Sequence, residues 1–124
     1  MIIGIGIDLV EKSRIEQLVG RQPKFPERIL TADELEQFYT LSEKRKIEYL
    51  AGRFAAKEAY AKAAGSGIGK RMGFLDIDSN YNKVGKPQIV GPLECKSHLS
   101  ISHSEHYVVA QVILEKVKLD MAAE

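Results

Sequence analysis

The chain has 124 residues, 44% of them hydrophobic and 28% charged, which suits one domain over residues 1–124 and is too apolar for a disordered chain. Eighteen Lys and Arg against seventeen Asp and Glu leave a net charge of +1, arguing against a dedicated nucleic-acid binder. No apolar run reaches the ~20 residues of a membrane span, the N-terminus lacks the basic lead of a signal peptide, and one cysteine, Cys95, excludes an internal disulfide or a multi-cysteine metal site, so the expected place is the cytoplasm.

Residues 2–9 read as a strand, because Ile3, Ile5, Ile7 and Leu9 alternate with Gly4, Gly6 and Asp8. One face is aliphatic; the other is bare backbone until Asp8, so something is expected to pack closely there. Residues 11–20 suggest a short helix with Ile15 and Val19 on one side and Gly20 as its stop. Residues 21–30, with Pro23 and Pro26, read as a loop. Thr31-Ala32-Asp33-Glu34 has capping-box spacing and opens a further short helix. Residues 42–64 give the longest periodic segment, a helix ended by Gly65 and Gly67. Strands are expected at 74–78, 88–90, 99–102 and 107–114, with a turn-rich connection over 79–87. Helices fill the first half and antiparallel strands the second, so the expected class is α+β in a single domain, with one long central helix.

Glu58 falls four residues after Phe54 and seven after Ala51, on the apolar stripe of the long helix. A carboxylate there needs a cation, a metal or a proton. Lys62, one turn on, offers the bland alternative of an i, i+4 pair with Glu58. Asp8 ends the strand on the glycine face, and its own bland reading is a helix cap with Glu11 in capping-box spacing. Taken together, Asp8 and Glu58 could share Mg²⁺, which favours one or two carboxylates plus phosphate oxygens.

Gly65-Ser66-Gly67-Ile68-Gly69-Lys70 fails as a P-loop: Ala64 precedes it, Arg71 follows Lys70, and it comes after a helix. A helix C-cap is the better reading, although its amides could still face a phosphate. Ser102-His103-Ser104 lacks a nucleophile elbow, and His103, Glu105 and His106 make a weak zinc set. Residues 12–28 carry Lys12, Arg14, Arg21, Lys24 and Arg28 against Glu16 and Glu27, and Lys44-Arg45-Lys46 adds a second basic cluster. Both are either solvated surface or a docking face for an acidic protein or a polyphosphate.

Three segments, Gly4-Ile5-Gly6-Ile7-Asp8, Arg53-Phe54-Ala55-Ala56-Lys57-Glu58-Ala59 with Lys62-Ala63, Gly65 and Gly67, and Ser100-Ile101-Ser102-His103-Ser104, together resemble the holo-[acyl-carrier-protein] synthases, the small stand-alone class of 4′-phosphopantetheinyl transferases. The likeness extends through Arg28-Ile29-Leu30-Thr31 and Leu41-Ser42-Glu43-Lys44-Arg45. It implies the 4′-phosphopantetheinyl transferase fold. It implies transfer of 4′-phosphopantetheine from coenzyme A to a serine of apo acyl carrier protein, releasing adenosine 3′,5′-bisphosphate, in support of fatty acid biosynthesis. It also implies Mg²⁺, a cytoplasmic homotrimer and coenzyme A bound between subunits.

By the same resemblance Asp8 and Glu58 hold the metal and Lys62 lies near the diphosphate; the demands of phosphoryl-type transfer then make Glu58 and Lys62 the catalytic candidates, one as base and the other to stabilise the leaving group. Arg45, Arg53, Gly65 and His103 lie around coenzyme A, and Arg14, Arg21 and Arg28 meet the carrier protein. Glu58 would take the serine proton, directly or through a water. One departure is visible: Val84 stands before Gly85-Lys86-Pro87 where the family commonly has Asn, so a side-chain amide contact to the adenosine end is lost or replaced. The competing reading is a non-catalytic trimeric adaptor for an acidic protein, which would have no need of an acid on the apolar helix face.

Overall fold

The computed structural model describes residues 1–117. Strand β1 (Ile2–Glu11) leads into helices α1 (Lys12–Arg21), α2 (Phe25–Ile29), α3 (Ala32–Tyr39) and the long α4 (Glu43–Ala64). After a 3₁₀ turn at Phe74–Asp76 come β2 (Asp78–Tyr81), β3 (Pro87–Val90), β4 (Lys96–His103) and β5 (Tyr107–Glu115). Strands β1, β5 and β4 form an antiparallel sheet in that order, with β5 central, and β2 and β3 form a separate hairpin. The α+β class and the long central helix are as the sequence suggests.

The glycines of β1 explain how α4 reaches the sheet. A Cβ built on Gly6 would stand 1.9 Å from the Ala59 carbonyl oxygen, and one on Gly4 1.9 Å from that of Ala63. Helix and strand therefore touch backbone to backbone, and only glycine fits on the strand side. Ser42 caps α4 by accepting from the Arg45 amide. Gly65 ends it in a left-handed turn (φ 86°), a conformation open to glycine at little cost.

Helix α4 is buried almost all round. Leu50, Ala51, Ala55, Ala59 and Ala63 lie in the core as the periodicity suggests, but Arg53, Ala56, Lys57, Tyr60 and Ala61 are buried too. It is a core helix enclosed by sheet, hairpin and short helices, not an amphipathic one with a solvent face.

Several boundaries differ from the sequence reading, β4 among them, which begins at Lys96. Helix α1 runs through Gly20 to Arg21. The segment read as a loop at 21–30 holds the short helix α2, whose Pro26 sits in the first turn, where its missing N–H costs nothing. The alternation at 74–78 yields a 3₁₀ turn, because the Asp76 carboxylate accepts from the Gly73 amide, and the strand begins only at Asp78. The connection read at 79–87 thereby shrinks to a tight turn, in which Asn82 Oδ1 accepts from the Val84 and Lys86 amides.

An internal ion pair was invisible in the sequence. Lys57 Nζ lies 2.6 Å from Glu34 Oε1 and donates to the carbonyls of Ile29 and Phe74. Glu34 keeps its capping-box bond with Thr31 and also accepts from the Ser79 amide. Burial pushes the Lys57 ammonium pKa down, while Glu34 pulls it back up. One ammonium thus ties α2, α3 and the Phe74 turn to α4. Removing one partner strands the other charge in the core. Lys57→Met should cost about 3–5 kcal/mol of unfolding free energy, and the double variant Lys57→Met, Glu34→Gln should recover most of it. Chemical denaturation measures both; a single-variant loss below about 1 kcal/mol would show the pair to be dispensable.

The outer face of the three-stranded sheet carries Ile3, Ile5, Ile7 and Leu9, between 49% and 64% exposed. Val109 and Ile113 of β5 lie beside them, paired with Leu9 and Ile5. Strand β5, nearly all apolar in sequence, is buried on the α4 side through Val108, Ala110, Val112 and Leu114 and open on this one.

Candidate active site

Asp8 projects from β1 on the same face as Gly4 and Gly6, the face against which α4 rests, and Glu58 lies next to Ala59, whose carbonyl Gly6 touches. Lys62 Nζ is 2.9 Å from Asp8 Oδ1 and donates also to the Ile7 carbonyl at 3.1 Å. The i, i+4 pairing of Lys62 with Glu58 is thus replaced by a helix-to-strand pair. Asp8 is no helix cap either: it lies within β1, and the cap position of α1 is Glu11, without a side-chain bond.

Glu58 is half-buried. Burial and, after it, the charge of Asp8 push its carboxyl pKa up, while Lys62 and Arg14 pull it down. Asp8, Glu58, Lys62 and Arg14 therefore form one electrostatic cluster. Two carboxylates close enough to repel, one of them partly desolvated, are better accommodated with a cation between them. No group of three or more His, Cys, Asp or Glu gathers among the described residues. Two hard carboxylates without thiolate or imidazole fit Mg²⁺, which completes its shell with phosphate oxygens and water, and not a structural zinc.

A second group lies on the other flank. Arg45, Arg53 and His103 line one cavity of about 320 Å³, together with Gln37, Tyr49 and Tyr81. His103 lies 3.4 Å from Glu48, which also takes Lys12 at 3.2 Å. Arg53 is 2% exposed. Its Nη2 donates to the Tyr81 hydroxyl at 3.2 Å, while Nε and Nη1 are buried without a hydrogen-bond partner among the described residues. At 100° per residue, Lys62 is half a turn of azimuth from Arg53 on α4. Asp8 and His103 likewise sit on opposite edge strands, β1 and β4.

The chain as a whole resembles known proteins. A family model described as the 4′-phosphopantetheinyl transferase superfamily matches residues 4–113. A holo-[acyl-carrier-protein] synthase of Anoxybacillus flavithermus is 59% identical over 118 residues, 94% of this chain and 98% of that one. The chain belongs to the holo-[acyl-carrier-protein] synthase family of 4′-phosphopantetheinyl transferases. Among solved synthases, that of Bacillus anthracis in complex with CoA (3′,5′-ADP) aligns with a TM-score of 0.89 at 51% identity, covering 94% of this chain and 99% of its own. That of Helicobacter pylori in complex with coenzyme A aligns at 0.79 and 37% identity, covering 90% and 99%.

The remaining candidates of this synthase-family chain are placed as follows. Arg14 and Arg21 stand seven residues apart on α1, hence on one face, and are exposed, as are Lys24 and Arg28 beyond; Arg28 donates to Gln22. The amides of Gly65, Ser66 and Gly67 all donate to carbonyls of the last turn of α4. The loop is the C-cap the sequence suggests, and those amides are not free for phosphate, so Gly65 would meet a ligand through its bare Cα. His106 and Glu105 are exposed and 3.9 Å apart, no metal site. Val84 is 86% exposed at the hairpin tip. Sequence reasoning missed Tyr49, Tyr81 and Gln37, which reach the cavity from three different elements; only Tyr49, four residues before Arg53, left a helical-spacing signal.

Proposed function

We propose that the chain transfers 4′-phosphopantetheine from coenzyme A to a serine of apo acyl carrier protein, releasing adenosine 3′,5′-bisphosphate, and so supplies holo carrier protein for fatty acid biosynthesis in the cytoplasm. The observation that carries this reading is the cluster of Asp8, Glu58 and Lys62 at the glycine-lined seam of β1 and α4. Asp8 and Glu58 are the residues that would hold Mg²⁺, which when bound withdraws charge from the diphosphate and eases attack at phosphorus.

Glu58, beside the reacting centre so formed, would accept the serine proton, directly or through a water. The serine oxygen bonds to phosphorus as the bond from that phosphorus to the bisphosphate oxygen breaks. Lys62, whose side chain is 49% exposed while it holds Asp8, neutralises the charge that develops on the leaving group. Arg45, Arg53 and His103 hold the phosphate at the adenosine end.

The two groups are separated by the breadth of α4 and of a three-stranded sheet, about 10 Å across its strands. Two copies side by side would bring the Asp8 edge of one to the His103 edge of the next. The open Ile3, Ile5, Ile7 and Leu9 face supports such self-association, and a closed ring, the homotrimer, completes every site. Mass spectrometry of an apo carrier protein incubated with the chain, coenzyme A and Mg²⁺ tests the activity. Gain of the phosphopantetheinyl mass is expected; an unmodified carrier that still binds would leave an adaptor.

The exposed arginines of α1 and the following loop would steer an acidic carrier protein. Arg14 is also within electrostatic reach of Glu58, so Arg21 gives the cleaner test. Arg21→Glu with Arg28→Glu should raise the KM for carrier protein about tenfold, with the difference shrinking as salt rises. The KM for coenzyme A should hardly move. Steady-state kinetics at several ionic strengths measures this, and a rise in the coenzyme A KM instead would assign the basic stretch to the cofactor.

A further inference from the structure

Arg53 stands at a boundary between two unlike cavities. Arg53, Tyr49 and Tyr81 line both the one shared with Arg45 and His103 and a second of about 340 Å³ that carries Asp33 and Asp78. A guanidinium with two unpartnered nitrogens on a cavity wall shared with the Asp33 and Asp78 carboxylates, of which Asp78 already accepts from the Thr31 hydroxyl at 2.6 Å, could turn and pair with them. Here it does not: the side chain forms no ion pair with either among the described residues. The Arg53 guanidinium carbon instead lies 5.2 Å from the Tyr49 ring centre and 5.0 Å from that of Tyr81, and Nη2 bonds the Tyr81 hydroxyl.

We propose that Tyr49 and Tyr81 are positioning residues for phosphate binding: they hold the Arg53 guanidinium by cation–π contact and one hydrogen bond at the wall of the cavity it shares with Arg45 and His103, so that it does not turn to the Asp33 and Asp78 carboxylates and stays oriented for the anion of coenzyme A. This rests on the assignment of Arg53 to coenzyme A made above. Tyr49 suits the task because burial raises its phenol pKa to about 12, so it stays neutral, and its hydroxyl donates to the Glu34 carbonyl at 3.4 Å. Tyr81 comes from the far end of β2, next to the Asn82-anchored turn. The hairpin thereby contributes a polar aromatic to the cavity although its tip residue, Val84, contributes no amide.

Steady-state kinetics of the full chain with coenzyme A and a saturating carrier protein tests this in four variants. Arg53→Gln should raise the coenzyme A KM. Tyr81→Ala should raise it about tenfold with kcat nearly unchanged, and Tyr81→Phe, which keeps the ring, about threefold. Adding Asp33→Asn and Asp78→Asn to Tyr81→Ala should restore most of the affinity, because the competing carboxylates are gone; a merely structural role of Tyr81 gives no such rescue. Tyr81 is 54% exposed, so its variants should fold. A KM within twofold of the parent in Tyr81→Ala, or no rescue by the two asparagines, overturns the positioning role. An unchanged KM in Arg53→Gln overturns the assignment of Arg53 itself.

Discussion

Asp8→Asn and Glu58→Gln should each lower turnover by about two to three orders of magnitude, while the protein stays folded. Both substitutions keep shape and remove the charge that would hold a divalent cation. Their effects on stability should run opposite to those on activity. Glu58 is partly desolvated and repelled by Asp8, so Glu58→Gln relieves a strain in the folded state and should leave the melting temperature unchanged or slightly raised, a familiar trade between stability and function. Asp8→Asn loses its pair with Lys62, but that ammonium is half exposed, and such pairs are worth little, about 1 kcal/mol or less. Single-turnover rates with saturating Mg²⁺, set beside thermal melts, measure both. Near-normal Mg²⁺-dependent rates in the two variants would remove Asp8 and Glu58 from the metal site.

Gly6→Ala should be among the most damaging small substitutions at the described residues. The added methyl would lie 1.9 Å from the Ala59 oxygen and 2.7 Å from the Ala63 nitrogen, and both are backbone atoms that cannot rotate aside. Strand and helix must part by about 1.5 Å to restore ordinary contact, at a cost of about 3 kcal/mol or more. The same displacement moves Asp8, two residues along the strand, away from Glu58, beside Ala59. Molecules that remain folded should therefore lose activity as well. Gly20→Ala is the contrast: it lies within α1, nothing stands within 4 Å of its Cβ, and alanine should be neutral or stabilise by about 0.5–1 kcal/mol. Denaturant titration of the two variants, with rates measured on the folded fraction, distinguishes a glycine used for close approach from one that is merely tolerated. Equal stability of Gly6→Ala and the parent would mean that the seam can open without harm.

What the sequence disclosed depends on how far apart the interacting residues lie. Alternation of Ile and Gly in β1 and the 3.6-residue period of α4 are local, and both elements appear where those patterns place them. The acid on the apolar stripe, Glu58, and the acid at the end of the glycine face, Asp8, were legible for the same reason. The partner of Lys62 was not: spacing along one helix shows only neighbours on that helix, and the ammonium crosses to β1. Helix α2 was hidden because prolines read as loop unless their place in the first turn is known. The pair of Glu34 and Lys57 spans 23 residues, and each partner already had a local explanation, a capping box for one and a motif position for the other. Arg45, Arg53 and His103 entered through family resemblance; no local pattern joins a helix to the end of β4. Tyr81 had no signal at all, since the strand that delivers it was read as part of the turn-rich connection, although its partner strand at 88–90 was expected.

With Asp8 on one edge strand and the Arg53 cavity on the other flank of α4, the ring proposed above would give each copy of the chain two half-sites that face in different directions. Damage to one half-site leaves the other sound, so two defective copies can complement each other. In a ring assembled from Asp8→Asn and Arg53→Gln chains, a junction that joins the intact Asp8 edge of one to the intact Arg53 edge of the next is fully equipped. Random assembly of equal amounts makes about a quarter of the junctions intact. Mixing the two variants under conditions that allow subunit exchange should then restore, at low coenzyme A, activity that neither has alone. Mixing without exchange should restore nothing, and failure of both would mean that each chain works by itself.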